Sequence, residues 1–198
     1  MTAIVDYKAG NLTSVKYAFA ALGEDTVVTS DSAVVRSADR VVFPGVGAAR
    51  SAMENLRALG LVKAVREAAV TKPFLGICLG MQILFERSEE DGGVECLGIL
   101  PGRVLRFPDV PGCKVPEIGW NSVSETGIGN RETEIGNREY YFVHSYYAEI
   151  CPWTYGVTEY AGVKFTAMVK KDRLWACQFH PEKSGRLGLE LLREWLSC

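Results

Sequence analysis

The chain has 198 residues, enough for one domain with a full-sized core, and is 47% hydrophobic and 23% charged, as ordinary soluble globular proteins are. A net charge of -2 with no basic stripe argues against nucleic acid as a partner. No apolar run approaches the roughly 20 residues of a membrane span, and "MTAIVDYKAG" has no positive leader before a long apolar core, so the expected address is the cytoplasm, with no membrane contact.

Taken in order, "TAIVDY" reads as a short strand. "NLTSVKYAFAALG" follows as a helix, with Leu12, Val15, Phe19 and Leu22 on one stripe and Gly23 as the stop. "DTVVTS" and "DRVVFPG" are the next two strands. "ARSAMENLRALGLVKAVREAAV" is helical, with a break near Gly60. "PFLGI" is a fourth strand and "LGMQILFE" a further helical segment. Strand and helix alternate over residues 1–87, the pattern of a parallel sheet covered on both faces.

The second half changes character. "GRVLRF", "KVPEIGWNSV", "EYYFVHSYYAEI", "TYGVTEY", "VKFTAMVKK" and "RLWACQFH" are strand-like and joined by turns such as Ala161-Gly162 and Lys171-Asp172, so antiparallel or mixed pairing is expected. "GRLGLELLREWLS" closes the chain as a helix with Leu187, Leu191, Leu192 and Trp195 on its apolar stripe. No linker separates the halves, so residues 1–198 are expected to form one domain. The five residues Ile128–Glu132 recur as Ile135–Glu139, a small duplication suited to a surface loop or hairpin.

Cysteines stand at 78, 96, 113, 151, 177 and 198. Without a secretion signal they are expected as reduced thiols, most of them small apolar fillers. With no C-x-x-C pair and two histidines, no metal site is expected.

Three stretches carry chemistry. In "FLGICLGMQILF" a strand gives way to a helix at Cys78, between Gly76 and Gly80. A thiol at such a corner meets the N–H groups and dipole of a helix start, which favour the thiolate; "GICLG" is a sulfur version of the G-x-S-x-G elbow. The plainer alternative is a buried filler between packing glycines. In "WACQFHPEKSG", His180 and Glu182 occupy alternate positions of what reads as an extended segment, so that Glu182 backs the imidazole while its other nitrogen faces the thiol. Pro181 is expected to keep the segment extended after His180. In "VVFPGVGAARSAM", Gly45, Val46 and Gly47 end a strand just before a helix, a loop able to aim N–H groups at an oxyanion.

Together with "DYKAGNLTSV", "KVPEIGWN" and "YFVHSYY", these stretches resemble the class I, or triad-type, glutamine amidotransferases over nearly the whole chain. Among them the chain is most similar to the glutaminase subunits of imidazole glycerol phosphate synthases. The resemblance implies a flavodoxin-like α/β fold: a central, mostly parallel sheet with helices on both faces and added antiparallel strands. It implies glutamine hydrolysis with Cys78 as nucleophile, His180 as base and Glu182 as its orienter, with the Leu79 N–H joining the Gly45–Gly47 loop at the oxyanion. Gln82, Ser145 and Tyr146 would hold the α-amino and α-carboxylate groups of the substrate. No metal or organic cofactor is implied. The implied partner is a separate (β/α)8-barrel cyclase of histidine biosynthesis, docked near Gly10, Asn11, Trp120, Asn121 and Lys183. One departure is Glu117, where the family usually has histidine. Other readings are a glutaminase serving a different synthase and a standalone cysteine hydrolase of γ-glutamyl compounds.

Overall fold

The computed structural model describes residues 1–8, 11–127, 131–132 and 138–198. The first half winds as its periodicity predicts: β1 (Thr2–Val5), α1 (Leu12–Ala20), β2 (Thr26–Thr29), α2 (Ser32–Ser37), β3 (Arg40–Gly45), α3 (Ala49–Ala58), α4 (Val62–Thr71), β4 (Phe74–Cys78) and α5 (Leu79–Gln82). Two details differ from expectation. The short helix α2, capped by Asp31 accepting from the Ala33 N–H at 2.7 Å, has too few residues to show a periodicity. The segment after Cys78 is helical for four residues only. Beyond Gln82 it folds into turns whose N–H groups go to the carbonyls of Leu79, Met81 and Gln82.

The second half supplies β5 (Arg87–Ser88), β6 (Val94–Glu95), β7 (Arg103–Arg106), β8 (Glu117–Gly127), β9 (Arg131–Glu132), β10 (Arg138–His144), β11 (Tyr146–Ala148), β12 (Thr154–Tyr160), β13 (Val163–Lys171), β14 (Leu174–Cys177) and α6 (Gly185–Leu196). "EYYFVHSYYAEI" is thus two strands that part at Ser145. Of the duplicated five-residue segments, 128–130 and 135–137 lie outside the described residues; Arg131–Glu132 pair antiparallel with the end of β8.

The strand order β2-β1-β3-β4-β14 is parallel throughout. Alternation along these strands sends side chains to two cores. Ala3, Val5, Val41, Phe43 and Phe74 face one way, against residues of α2, α3 and α4. Ile4, Val42, Leu75 and Ile77 face the other, against Val15 and Phe19 of α1 and Leu191, Leu192 and Trp195 of α6. Beyond β14 the pairing reverses. β13 runs antiparallel to β14, β11 and β12, and β8 runs antiparallel to β12 and β10. The parallel strands therefore deliver their carboxyl ends to one edge, and the antiparallel strands wall that edge from the side.

Candidate active site

Cys78 is the last residue of β4 and stands at φ 54, ψ -115, a conformation rare for a residue with a side chain. The corner is tight enough to dictate its neighbours. A Cβ on Gly80 would lie 1.9 Å from the backbone oxygen of Phe43, so the first turn of α5 is pressed onto β3. Register brings Gly45 of β3 opposite Cys78, and the loop Val46-Gly47 leaves directly beside the sulfur. Gly47 holds φ 97, which L-residues rarely adopt, and Val46 is exposed. Beneath this loop lies Tyr7, buried, with its hydroxyl unpartnered and its ring 4.9 Å from that of Phe43. Burial and then the charge of Cys78 push its phenol well above the usual range.

On the other side of β4, register pairs Ile77 with Cys177 of β14, and three residues later the chain reaches His180. Its backbone is clamped. The His180 N–H donates to the Tyr141 carbonyl at 2.9 Å, and its carbonyl accepts from the Lys183 N–H at 3.0 Å and the Ser184 hydroxyl at 2.7 Å. His180 itself is extended, but the expectation that Pro181 keeps the segment extended after it fails: Pro181–Lys183 form a 3-10 turn. The fixed φ of Pro181 suits a first helical turn. The turn, not strand alternation, brings Glu182 Oε1 within 2.7 Å of His180 Nδ1.

That contact leaves His180 Nε2 buried and without a hydrogen-bond partner. It lines a cavity of about 240 Å³ shared with Cys78, Leu79, Val46, Gly47, Gln82, Ser145 and Tyr146. Burial alone would make the imidazole a weaker base. The Cys78 sulfur and the Glu182 carboxylate more than reverse this and push His180 up to about 10, so the ring holds a proton at neutral pH. By contrast, burial, followed by the charges of Glu182 and Cys78, holds the neighbouring Cys177 thiol well above its ordinary range. Cys177 is fully buried, so of these two adjacent thiols the one at the corner is equipped to react.

Several site residues were not visible in the sequence. The buried Gln178 donates to the Cys78 sulfur at 3.7 Å and accepts from Gln82 Nε2 at 3.0 Å. Its one sequence signal is an amide inside the apolar run "WACQF". Glu90 lines the cavity and accepts from the Ala49 N–H at 2.6 Å. Burial raises its carboxyl above the usual range, against the lowering effect of that hydrogen bond. Tyr7 gave no signal beyond "DYKAGN".

Of the residues expected at a partner surface, Gly10 lies outside the described residues. Trp120 is 56% exposed, its ring edge-on to Tyr141 at 6.2 Å, and the exposed Lys183 sits 5.9 Å over the same Tyr141 ring. Asn121 turns inward and donates to Glu117 Oε1 at 2.8 Å and to the Glu159 carbonyl at 3.0 Å. Asn11 is exposed at the start of α1, accepting from the Ser14 hydroxyl at 2.8 Å. All six cysteines are free thiols.

A corner cysteine, a histidine backed by a carboxylate and a glycine-flanked loop on a doubly wound sheet have the form of a cysteine acyl-transfer enzyme. The model of the class I glutamine amidotransferases matches residues 3–196, and the chain belongs to that family, of which a Cys-His-Glu triad is characteristic. It is 46% identical over 199 residues to "Imidazole glycerol phosphate synthase subunit HisH" of Herpetosiphon aurantiacus, covering 99% of this chain and 93% of that one. The subunit of the same name from Exiguobacterium sibiricum is 47% identical, over 98% of this chain and 94% of the relative. In fold, the chain matches a crystal structure described as a glutamine amidotransferase at TM-score 0.75 and 18% identity, covering 98% and 97% of the two chains. It also matches the glutaminase domain of Trypanosoma brucei CTPS with bound acivicin at TM-score 0.64 and 16% identity, covering 99% and 93%.

Proposed function

We propose that this chain is the glutaminase subunit of an imidazole glycerol phosphate synthase, a single-domain cytoplasmic enzyme that makes ammonia for a separate cyclase in histidine biosynthesis. The observation that carries the reading is its full-length likeness, at 46% and 47% identity, to two HisH subunits. The lyase chemistry belongs to the cyclase, here read as a (β/α)8 barrel.

Glutamine enters the cleft with its side-chain amide toward Cys78. Gln82, Ser145 and Tyr146 hold the amino-acid end, and Glu90, the carboxylate lining the cavity, offers its second oxygen to the α-ammonium. The Cys78 sulfur attacks the amide carbon with its proton already resting on His180 Nε2. The resulting oxyanion is held by the Leu79 N–H and by N–H groups of the Gly45–Gly47 loop. Collapse breaks the C–N bond, His180 gives its proton to the departing nitrogen, and ammonia leaves a γ-glutamyl thioester. Water then attacks the thioester, His180 taking and keeping its proton as the C–S bond breaks and glutamate departs, which restores the starting state. Side chains and water suffice for every step.

Free ammonia in neutral water is mostly ammonium, which is no nucleophile, so release into a docked partner preserves it. Trp120 and Lys183, both exposed beside the Tyr141 ring, are read as contacts to that partner, together with Asn11 and the backbone around Asn121. The test is a glutaminase assay with and without a cognate cyclase and its nucleotide ligand. Stimulation by that cyclase, and not by other ammonia-using synthases, is the expected result; full activity alone, or on γ-glutamyl peptides, would sink the reading.

A further inference from the structure

A second histidine–carboxylate pair lies in the wall of the same cleft, and the triad chemistry does not use it. His144 ends β10 and Glu117 begins β8, where register places them opposite each other. Both side chains are buried, at 2% and 4% exposure, with His144 Nε2 3.0 Å from Glu117 Oε2. His144 Nδ1 lies 2.7 Å from the Tyr146 carbonyl oxygen. A carbonyl only accepts, so Nδ1 carries a hydrogen. A neutral ring would then turn the Nε2 lone pair toward a carboxylate oxygen. Neither of those two atoms has a hydrogen-bond partner elsewhere, and two buried acceptors facing each other are costly. The rings of Phe107, Phe142 and Phe165 surround the imidazole at 5.2, 5.6 and 5.4 Å and leave no other polar partner among these rings for its Nε2.

We propose that Glu117 and His144 share one proton and act together as a positioning unit for the glutamine-binding wall, a role that rests on the glutaminase reading above. The unit fixes the Tyr146 carbonyl, which also accepts from Gln82 Nε2 at 2.8 Å. Gln82 in turn bonds Gln178, which bonds the Cys78 sulfur. At its outer end, Glu117 Oε1 is held by Asn121, next to the exposed Trp120. Glu117 touches no substrate; it sets the rim that Gln82, Ser145 and Tyr146 present.

Two measurements test this. The chain has two histidines, so the full-length protein labelled with 15N-histidine, with His180→Asn for assignment, reports the ring of His144 directly. At neutral pH both His144 ring nitrogens should carry protons, and in Glu117→Gln the ring should become neutral with the hydrogen on Nδ1. In the complex with the cyclase, Glu117→Gln should raise the KM for glutamine about tenfold, the scale of one charged hydrogen bond, while kcat stays within about threefold. Glu117→Asp should recover part of that loss. A neutral His144 in the native protein, or a KM within about twofold of native in Glu117→Gln, overturns the proposal. The spectra need neither glutamine nor a partner. A native complex that fails to hydrolyse glutamine would defeat the glutaminase reading and leave the shared proton to be decided by the NMR alone.

Discussion

The two buried imidazoles differ in one respect that decides their work. His180, after the parallel strand β14, has one nitrogen on Glu182 and the other open to the cleft. His144, in the antiparallel layer, has one nitrogen on a backbone carbonyl and the other on Glu117. A ring with an open nitrogen beside a thiol can take up and return a proton. A ring engaged at both ends can only hold its surroundings in place. Residue type, burial and a carboxylate neighbour are shared; the free valence separates base from brace.

The sharpest way to break this comparison is to remove each ring in turn. His180→Asn should lower single-turnover thioester formation by roughly a hundred- to ten-thousand-fold, the usual worth of a general base. His144→Asn should cost about tenfold, mostly in KM. Cys78→Ala should abolish glutamine hydrolysis while the complex still uses added ammonia. Equal loss of acylation in the two histidine variants would erase the distinction drawn here.

The corner that serves His180 can be tested separately. Gly80→Ala would drive a methyl into the Phe43 carbonyl at 1.9 Å, against backbone that cannot rotate away. Overpacking of this kind costs about 1–3 kcal/mol, so chemical denaturation should show that loss along with reduced acylation. An unchanged midpoint would mean that the α5–β3 contact is looser than it stands.

The same difference has a pH signature. The folded state raises His180 from 6.5 to about 10, so it binds a proton that the unfolded chain releases earlier. Its stabilisation is fully present below pH 6.5 and is lost as pH climbs through about 10. The Tm of the native protein should therefore fall across that window more steeply than that of His180→Asn. Cys78→Ser should narrow the gap, since the sulfur is one source of the raised affinity. A constant Tm difference from pH 6.5 to 10 would contradict this.

Much of the first region was legible in the sequence, and much of the second was not. Cys78, the glycines around it and the loop Gly45–Gly47 are encoded within a few consecutive residues, where period and turn chemistry act. The contact between His180 and Glu182 was also legible, though through a proline-led turn rather than an extended strand. Gln178, Glu90 and Tyr7 gain their roles from contacts made across the fold. Gln178 meets Gln82 from 96 positions away, and Glu90 caps Ala49 from 41. Local pattern carries no trace of such pairings. Glu117 shows both sides: its identity marked it as unusual, but the strand register of β8 and β10 was needed to give it a partner.

The smallest expected effect on stability, and the last test, is at Trp120. A large apolar ring in β8 could equally have been core, and strand alternation alone did not decide between core and surface. The structure places it 56% exposed, in contact with the ring of Tyr141 and near Lys183, on the outer side of the strand whose Asn121 turns inward. Removing an exposed side chain leaves no cavity, so Trp120→Ala should alter stability by no more than about 0.5 kcal/mol. An exposed tryptophan that shares a tyrosine neighbour with a lysine is the kind of residue that anchors a docking surface, where truncation costs about 2 kcal/mol or more. Trp120→Ala should therefore leave the Tm of the isolated chain in place and weaken cyclase binding at least about tenfold by calorimetry. Because Asn121 and Glu117 lie directly behind it, saturating cyclase should restore the native KM for glutamine. A lowered Tm with unchanged affinity would assign the ring to packing and remove the outer end of the link between docking face and glutamine wall.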